Sequence, residues 1–139
     1  MKMMIEGVNL PIRKTTGSCG YDLYCPKDVT LVPDSWTKLD LGVQMEKGDI
    51  PDGYCGLIMP RSSLGMSYGL KLSNTVGVID SDYTMDTIKA ALKIECDRPC
   101  VTLEQNERIL QMVIVPFGII PSEQAPTEIR KGGIGSTGL

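Results

Sequence analysis

The chain has 139 residues, a formal net charge of −3, a hydrophobic content of 42% and no histidine. That length suits one domain with its own core, and the missing histidine excludes Ser-His-Asp and Cys-His catalysis as well as imidazole-ligated zinc. Without a block of basic charge no nucleic-acid surface is expected, and acid–base chemistry falls to Asp, Glu, Lys or Tyr.

Residues 1–5 are too short an apolar run for a signal peptide, and no later run reaches the length of a membrane span. A first strand is expected at 3–6, then a polar loop at 11–17. The alternating stretch 21–25 reads as a strand, as does 28–32, with a turn at Pro33-Asp34-Ser35. Residues 36–45 alternate again, with Trp36, Leu39, Leu41 and Val43 as the inward set. Pro51-Asp52-Gly53 marks a turn. An apolar strand at 54–59 ends at Pro60, and a short one follows at 70–72. Residues 74–83 are β-branched, are broken by Gly77 and end by exposing Asp80, Asp82 and Tyr83. Segment 85–95 admits a helix through Ile88, Ala91 and Leu92. Its alternation of Ile88, Ala90, Leu92 and Ile94 with polar neighbours favours a half-buried strand. Strands at 101–103 and 108–117 complete the set, the second with an edge or terminus marked by Pro116. Residues 121–126 have linker composition, and 127–139 form a glycine-rich arm with little apolar weight. Many short strands with regular turns indicate an all-β sandwich or barrel. The organisation expected is a core over 1–126 and a flexible arm over 127–139. Cys19, Cys25, Cys55, Cys96 and Cys100 are odd in number with no Cys-x-x-Cys pair, and read as reduced, mostly buried thiols of a cytosolic protein.

Several groups carry chemistry. Gly133-Ile134-Gly135-Ser136-Thr137-Gly138 has the spacing of a dinucleotide fingerprint, but the chain ends one residue later, with no helix to receive a pyrophosphate. What remains is backbone N–H, two hydroxyls and the upstream cations Arg130 and Lys131, suited to an anion or simply to an unstructured end. Arg61, Ser62 and Ser63 at a strand end make a phosphate site, or a polar turn with a surface arginine. Asp22 lies in an apolar strand and is either a partnered buried acid or a residue of the wet face. Gln111, inside another apolar strand, either faces water or is bonded in a site. Lys71, Lys89 and Lys93 read as solvated strand faces.

In chain order, Cys19-Gly20-Tyr21-Asp22-Leu23, Pro60-Arg61-Ser62-Ser63-Leu64-Gly65, residues 74–83, Glu107-Arg108-Ile109-Leu110-Gln111-Met112 and residues 132–138 resemble the five motifs of the trimeric dUTPases. The resemblance spans nearly the whole chain. It implies a jelly-roll-like β fold and a homotrimer with active sites shared between subunits. The implied reaction is Mg²⁺-assisted hydrolysis of dUTP to dUMP and pyrophosphate. It assigns Asp80 to activating the water that attacks the α-phosphorus. Asp22 is assigned to holding the hydrated Mg²⁺. Arg61, Ser62, Ser63, Gln111, Arg130, Ser136 and Thr137 are assigned to the phosphates. The backbone of Asn74, Gly77 and Val78, in a hairpin, would read uracil, with Tyr83 under the deoxyribose and Ile134 over the base. Rejecting a hydrogen-bond mismatch is worth roughly 10⁴–10⁵ in selectivity, far more than a methyl contact.

The chain departs from that pattern at four places. Ile134 stands where an aromatic is usual, with a loss of stacking of roughly 0.5–1.5 kcal/mol. Ile129 takes the arginine's usual spacing from it, with Arg130 and Lys131 displaced. Met85 replaces a glycine, and Cys19 an alanine. A catalytically weak nucleotide sensor or partner-binding protein of the same fold, or a relative of dCTP deaminase, are the alternatives. The retained Asp22, Arg61, Asp80, Tyr83 and Gln111 favour the active enzyme, and nothing points to nucleic acid or a membrane. The expected location is the cytoplasm, or the host cytoplasm or nucleus for a viral protein.

Overall fold

A computed structural model describes residues 1–133. In chain order these form β1 (Lys2–Met3), β2 (Gly20–Tyr24), β3 (Val29–Leu31), β4 (Thr37–Gln44), β5 (Tyr54–Pro60), α1 (Ser62–Tyr68), β6 (Lys71–Leu72), β7 (Gly77–Asp80), β8 (Thr87–Lys93), β9 (Val101–Leu103) and β10 (Arg108–Pro116). One sheet has the order β1-β4-β8-β6, a second β2-β10-β5-β7, and β3 pairs with β9 alone. Every pairing of these strands is antiparallel. The all-β architecture is the one expected.

Alternation explains most of it. Leu39, Leu41 and Val43 of β4 and Ile88 and Leu92 of β8 point inward and are buried, as period-two side chains on a half-buried sheet must be. They meet Leu23, Ile58, Ile79 and Met112 of the second sheet and Leu31 and Leu103 of the small one in a single apolar cluster. On β10, Ile109 and Leu110 are consecutive yet both fully buried. The register against β2 slips between Arg108 and Leu110. The bulge inserts one residue and lets both neighbours face in.

The structure corrects several expectations. Trp36 lies just before β4, on the opposite parity from Leu39, and is 44% exposed, with the Lys93 ammonium 4.8 Å from its ring centre. Pro116 does end its strand, but β10 runs inside its sheet between β2 and β5. Of the cysteines only Cys25 is buried, and burial pushes its thiol pKa up, while Cys19 and Cys100 are exposed. Residues 74–78 do not form a hairpin. β6 belongs to one sheet and β7 to the other, so the chain crosses between sheets there, with Thr75 at φ 65°. The helix α1 was not expected. It holds seven residues, buries only Leu64, and is stopped by Gly69 at φ 59°, whose N–H bonds back to Gly65. So short a helix leaves no readable periodicity.

Candidate active site

The first cluster sits on β2, β10 and the turn into α1. Asp22 on β2 faces Gln111 on β10 and is 7% exposed. Its Oδ1 lies 3.2 Å from Arg61 Nε and its Oδ2 3.3 Å from Arg108 Nη1. Arg61 follows β5 directly, and its N–H bonds the Ile109 carbonyl at 3.2 Å, tying the strand end to β10. One carboxylate thus fixes two guanidinium groups and leaves a net positive charge, to which Lys14 adds. The cleft beside them, about 650 Å³, is also lined by Ser62, Ser63, Gln111 and Cys19. Gln111 Nε2 donates to the Pro60 carbonyl at 3.4 Å. Its side chain crosses Gly20, where a Cβ would stand 2.8 Å from Gln111 Oε1. Fixed cations, hydroxyls at the start of α1 and an amide on β10 suit a polyphosphate. The sequence reading missed Arg108 and Lys14. Arg108 shows its partner only through the pairing of β10 with β2, which sets it beside Asp22.

The second cluster follows β7. A cavity of about 170 Å³ is lined by Asn74, Gly77, Val78, Tyr83, Lys89 and Ala90. Gly77 sits against β5, where a Cβ would lie 3.2 Å from Ile58 Cβ. Tyr83 is buried rather than exposed, because its ring closes one side of this cavity and its hydroxyl donates to the Thr87 carbonyl at 2.9 Å. Burial first, then Asp86, raises the pKa of its phenol. Lys89 belongs to this cavity and bonds Asp86 Oδ1 at 2.7 Å, so it is no mere solvated face. Asp80 and Asp82 are exposed at the strand end, and both receive Arg130. Arg130 Nη2 lies 2.5 Å from Asp80 Oδ2, and Nε 2.8 Å from Asp82 Oδ1. Its guanidinium also stands 5.7 Å from the Tyr83 ring centre. The bond to Asp82, and beyond it the charges of Asp82 and Asp80, hold this guanidinium all the more firmly protonated. Arg130 lies outside every strand and helix, within residues 127–139, the stretch expected to form the arm. Ile134, Ser136 and Thr137 lie outside the described residues.

The two clusters are not adjacent within one chain. Asp80 stands opposite Cys55 of β5, whereas Asp22 stands level with Gln111 of β10 and so with Met59 of β5. Three strand spacings of about 4.8 Å and four residues of about 3.3 Å separate them, a diagonal of about 20 Å.

The dUTPase family model matches residues 6–138. A deoxyuridine 5'-triphosphate nucleotidohydrolase of Hydrogenobaculum sp. is 37% identical over all of this chain and 96% of its own length. One from Bordetella avium is 38% identical over 93% of this chain and 88% of its own. Among solved structures, the dUTPase of Streptococcus mutans superposes with a TM-score of 0.69 at 31% identity, covering 86% of this chain and 97% of that one. A dUTPase of phage phi11 of S. aureus, described with a coordinated structural Mg(II) ion, reaches 0.74 at 22% identity over 91% of this chain and 95% of its own.

Proposed function

The chain belongs to the dUTPase family, and from that premise we propose that it hydrolyses dUTP to dUMP and pyrophosphate in a site that joins the Asp80 cluster of one chain to the Asp22 cluster of another. The observation that carries the joint site is the diagonal of about 20 Å between the clusters. A general base must come within about 2.6–3.2 Å of the proton it takes. The α-phosphate must therefore be gripped by a cluster far closer to Asp80 than the one in its own chain. A homotrimer with subunits related by rotation brings the two together, since one face then meets a different face of the next copy.

In this reading Asp80 takes a proton from the water whose oxygen attacks the α-phosphorus. The bond from that phosphorus to the bridging oxygen breaks, and pyrophosphate leaves with its electron pair. Asp80 suits the task because it is exposed at a strand end, within reach of solvent. Arg61, Ser62, Ser63 and Gln111 hold the phosphates in line, and positioning of this kind supplies most of the rate in phosphoryl transfer. The crossing at Asn74, Gly77 and Val78 presents backbone to the uracil edge, with Tyr83 as the floor of the sugar site. Ile134, Ser136 and Thr137 would close over the nucleotide as part of an arm spanning 127–139.

Among the described residues no group of three acids, cysteines or histidines could hold a metal directly. Asp22 nevertheless fits a hydrated ion. Its Oδ2 accepts from Arg108 and its Oδ1 is ion-paired with Arg61, and a carboxylate has about four acceptor positions, so capacity remains for metal-bound water. When bound to the triphosphate, Mg²⁺ offsets the charge that develops on the leaving group.

Pyrophosphate release from dUTP, dTTP, dCTP and UTP, each with Mg²⁺ and with chelator, tests the function. Metal-dependent release confined to dUTP is the expected result. Equal release from all four, or release only from dCTP, would refute the base and sugar reading.

A further inference from the structure

The bulge of β4 gives the loop after Tyr83 a frame of its own. Pairing of β4 with β8 runs from Thr37 opposite Leu92 to Asp40 opposite Lys89, and resumes with Gln44 opposite Thr87. β4 takes four steps where β8 takes two, and the surplus bends at Gly42, φ 70°. A side chain could not replace that glycine, since a Cβ would stand 2.7 Å from Ile5 Cγ1.

The two residues that bracket the bulge both reach the loop. Gln44 Nε2 donates to the Thr84 carbonyl at 2.7 Å, and Thr87 Oγ1 donates to Asp40 Oδ2 at 2.8 Å. Asp40 is itself fixed, because its Oδ1 accepts the Gly42 N–H at 2.8 Å. Asp86 accepts the Thr87 N–H at 2.8 Å and ties it to Lys89. Thr87 in turn accepts the Tyr83 hydroxyl. The chain of contacts runs unbroken from β4 to the ring that closes the small cavity.

We propose that Asp40 and Gln44, acting through Thr87 and Thr84, are positioning residues that set the preference for a deoxyribose over a ribose nucleotide. The proposal rests on the reading of Tyr83 as the floor of the sugar site. A ring excludes a 2′-hydroxyl only if it does not yield. A loop free at its far end would move by the few tenths of an ångström that a hydroxyl needs. Pinned to β4 at both Thr84 and Thr87, it holds its place.

The test is the ratio of kcat/KM for dUTP to that for UTP in the full-length protein, measured with Thr87→Val, Thr87→Ser, Gln44→Glu and Tyr83→Ala. Thr87→Val keeps the side-chain shape and removes the donor to Asp40, while Gln44→Glu removes the donor to Thr84. Each should lower the ratio about three- to tenfold, the value of one hydrogen bond, through a rise on UTP. Thr87→Ser should restore it. A ratio that falls with Tyr83→Ala but stays at the parental value in Thr87→Val and Gln44→Glu overturns the frame and leaves the role of Tyr83 intact. A ratio unmoved by Tyr83→Ala overturns both. Should Thr87→Val fail to fold, Gln44→Glu decides by the same criterion.

Discussion

Both clusters are built from carboxylates and arginines, yet they are held in opposite ways. Asp22 is nearly buried, and its arginines come from the end of β5 and from β10, elements tied together by backbone hydrogen bonds. Asp80 and Asp82 are exposed, while their arginine, itself only 11% exposed, comes from coil within residues 127–139. If Asp22 lost its arginines, a carboxylate only 10% exposed would be left poorly reached by water, so the group stays made. An exposed pair costs little to break. The first cluster therefore has the fixed charges that the proposed phosphate cradle needs. The second is an acid pair capped by a cation, which in the proposed reading the triphosphate would draw away.

The sharpest way to break this comparison is to treat the two aspartates alike. Asp80→Asn should fold and bind dUTP as the parent does but release pyrophosphate about 10²- to 10⁴-fold more slowly, the usual worth of a general base. Turnover equal to the parent in a single-turnover assay would remove Asp80 from that role. Its thermal midpoint should move little, since the Asp80 carboxylate is 55% exposed and Arg130 keeps its bond to Asp82.

Asp22→Ala should behave the other way round. Arg61 and Arg108 lose their common partner, and the protein should lose about 2 kcal/mol in urea denaturation, as charged hydrogen bonds in a half-buried site do. Unchanged stability would mean that the cradle is not fixed by that carboxylate.

Arg130→Ala sharpens the contrast further. It should raise KM for dUTP about tenfold at low salt, through loss of a proposed phosphate partner, with a smaller effect at high salt where attraction between the arm and the triphosphate is screened. A KM indifferent to both the substitution and the salt would place the arginine outside substrate binding.

The smallest effect concerns Asp86. The hydrogen bond from Lys89, then that from the Thr87 N–H, hold its carboxyl below the ordinary value of 3.8. A group with a lowered folded pKa stabilises above its unfolded value and loses that contribution as pH falls through the folded one. Melting curves below about pH 4 should therefore drop less steeply in Asp86→Asn than in the parent. Superimposable pH profiles would show that the Asp86–Lys89 contact adds nothing to the fold.

The strands were legible where one face is buried and the other wet, as in the alternation around Leu39, Leu41 and Val43 or Ile88 and Leu92. That Arg61, Ser62, Ser63 and the acid Asp22 belong to one cleft was foreshadowed by their being odd polar groups at strand ends or in apolar strands. What the sequence hid is long-range. Nothing local distinguishes a hairpin at Asn74 from a crossing between sheets, because the turn chemistry is the same and only the partners differ. Tyr83 follows two acids and so looks exposed, while its burial depends on Thr87 and on β4. Arg108 carries no local sign of its role, and only the pairing of β10 with β2 sets it beside Asp22.

The joining of the two clusters across copies is the central claim, and mixing tests it most directly. Asp80→Asn and Arg61→Ala proteins, each with greatly reduced activity alone, would be unfolded together and refolded as mixed oligomers. Sites pairing Asp80 of one copy with Arg61 of another should then return about a quarter of parental pyrophosphate release, as a closed three-fold assembly requires. Mixed oligomers that form and stay as inactive as either parent would place the whole site within one chain and contradict the account.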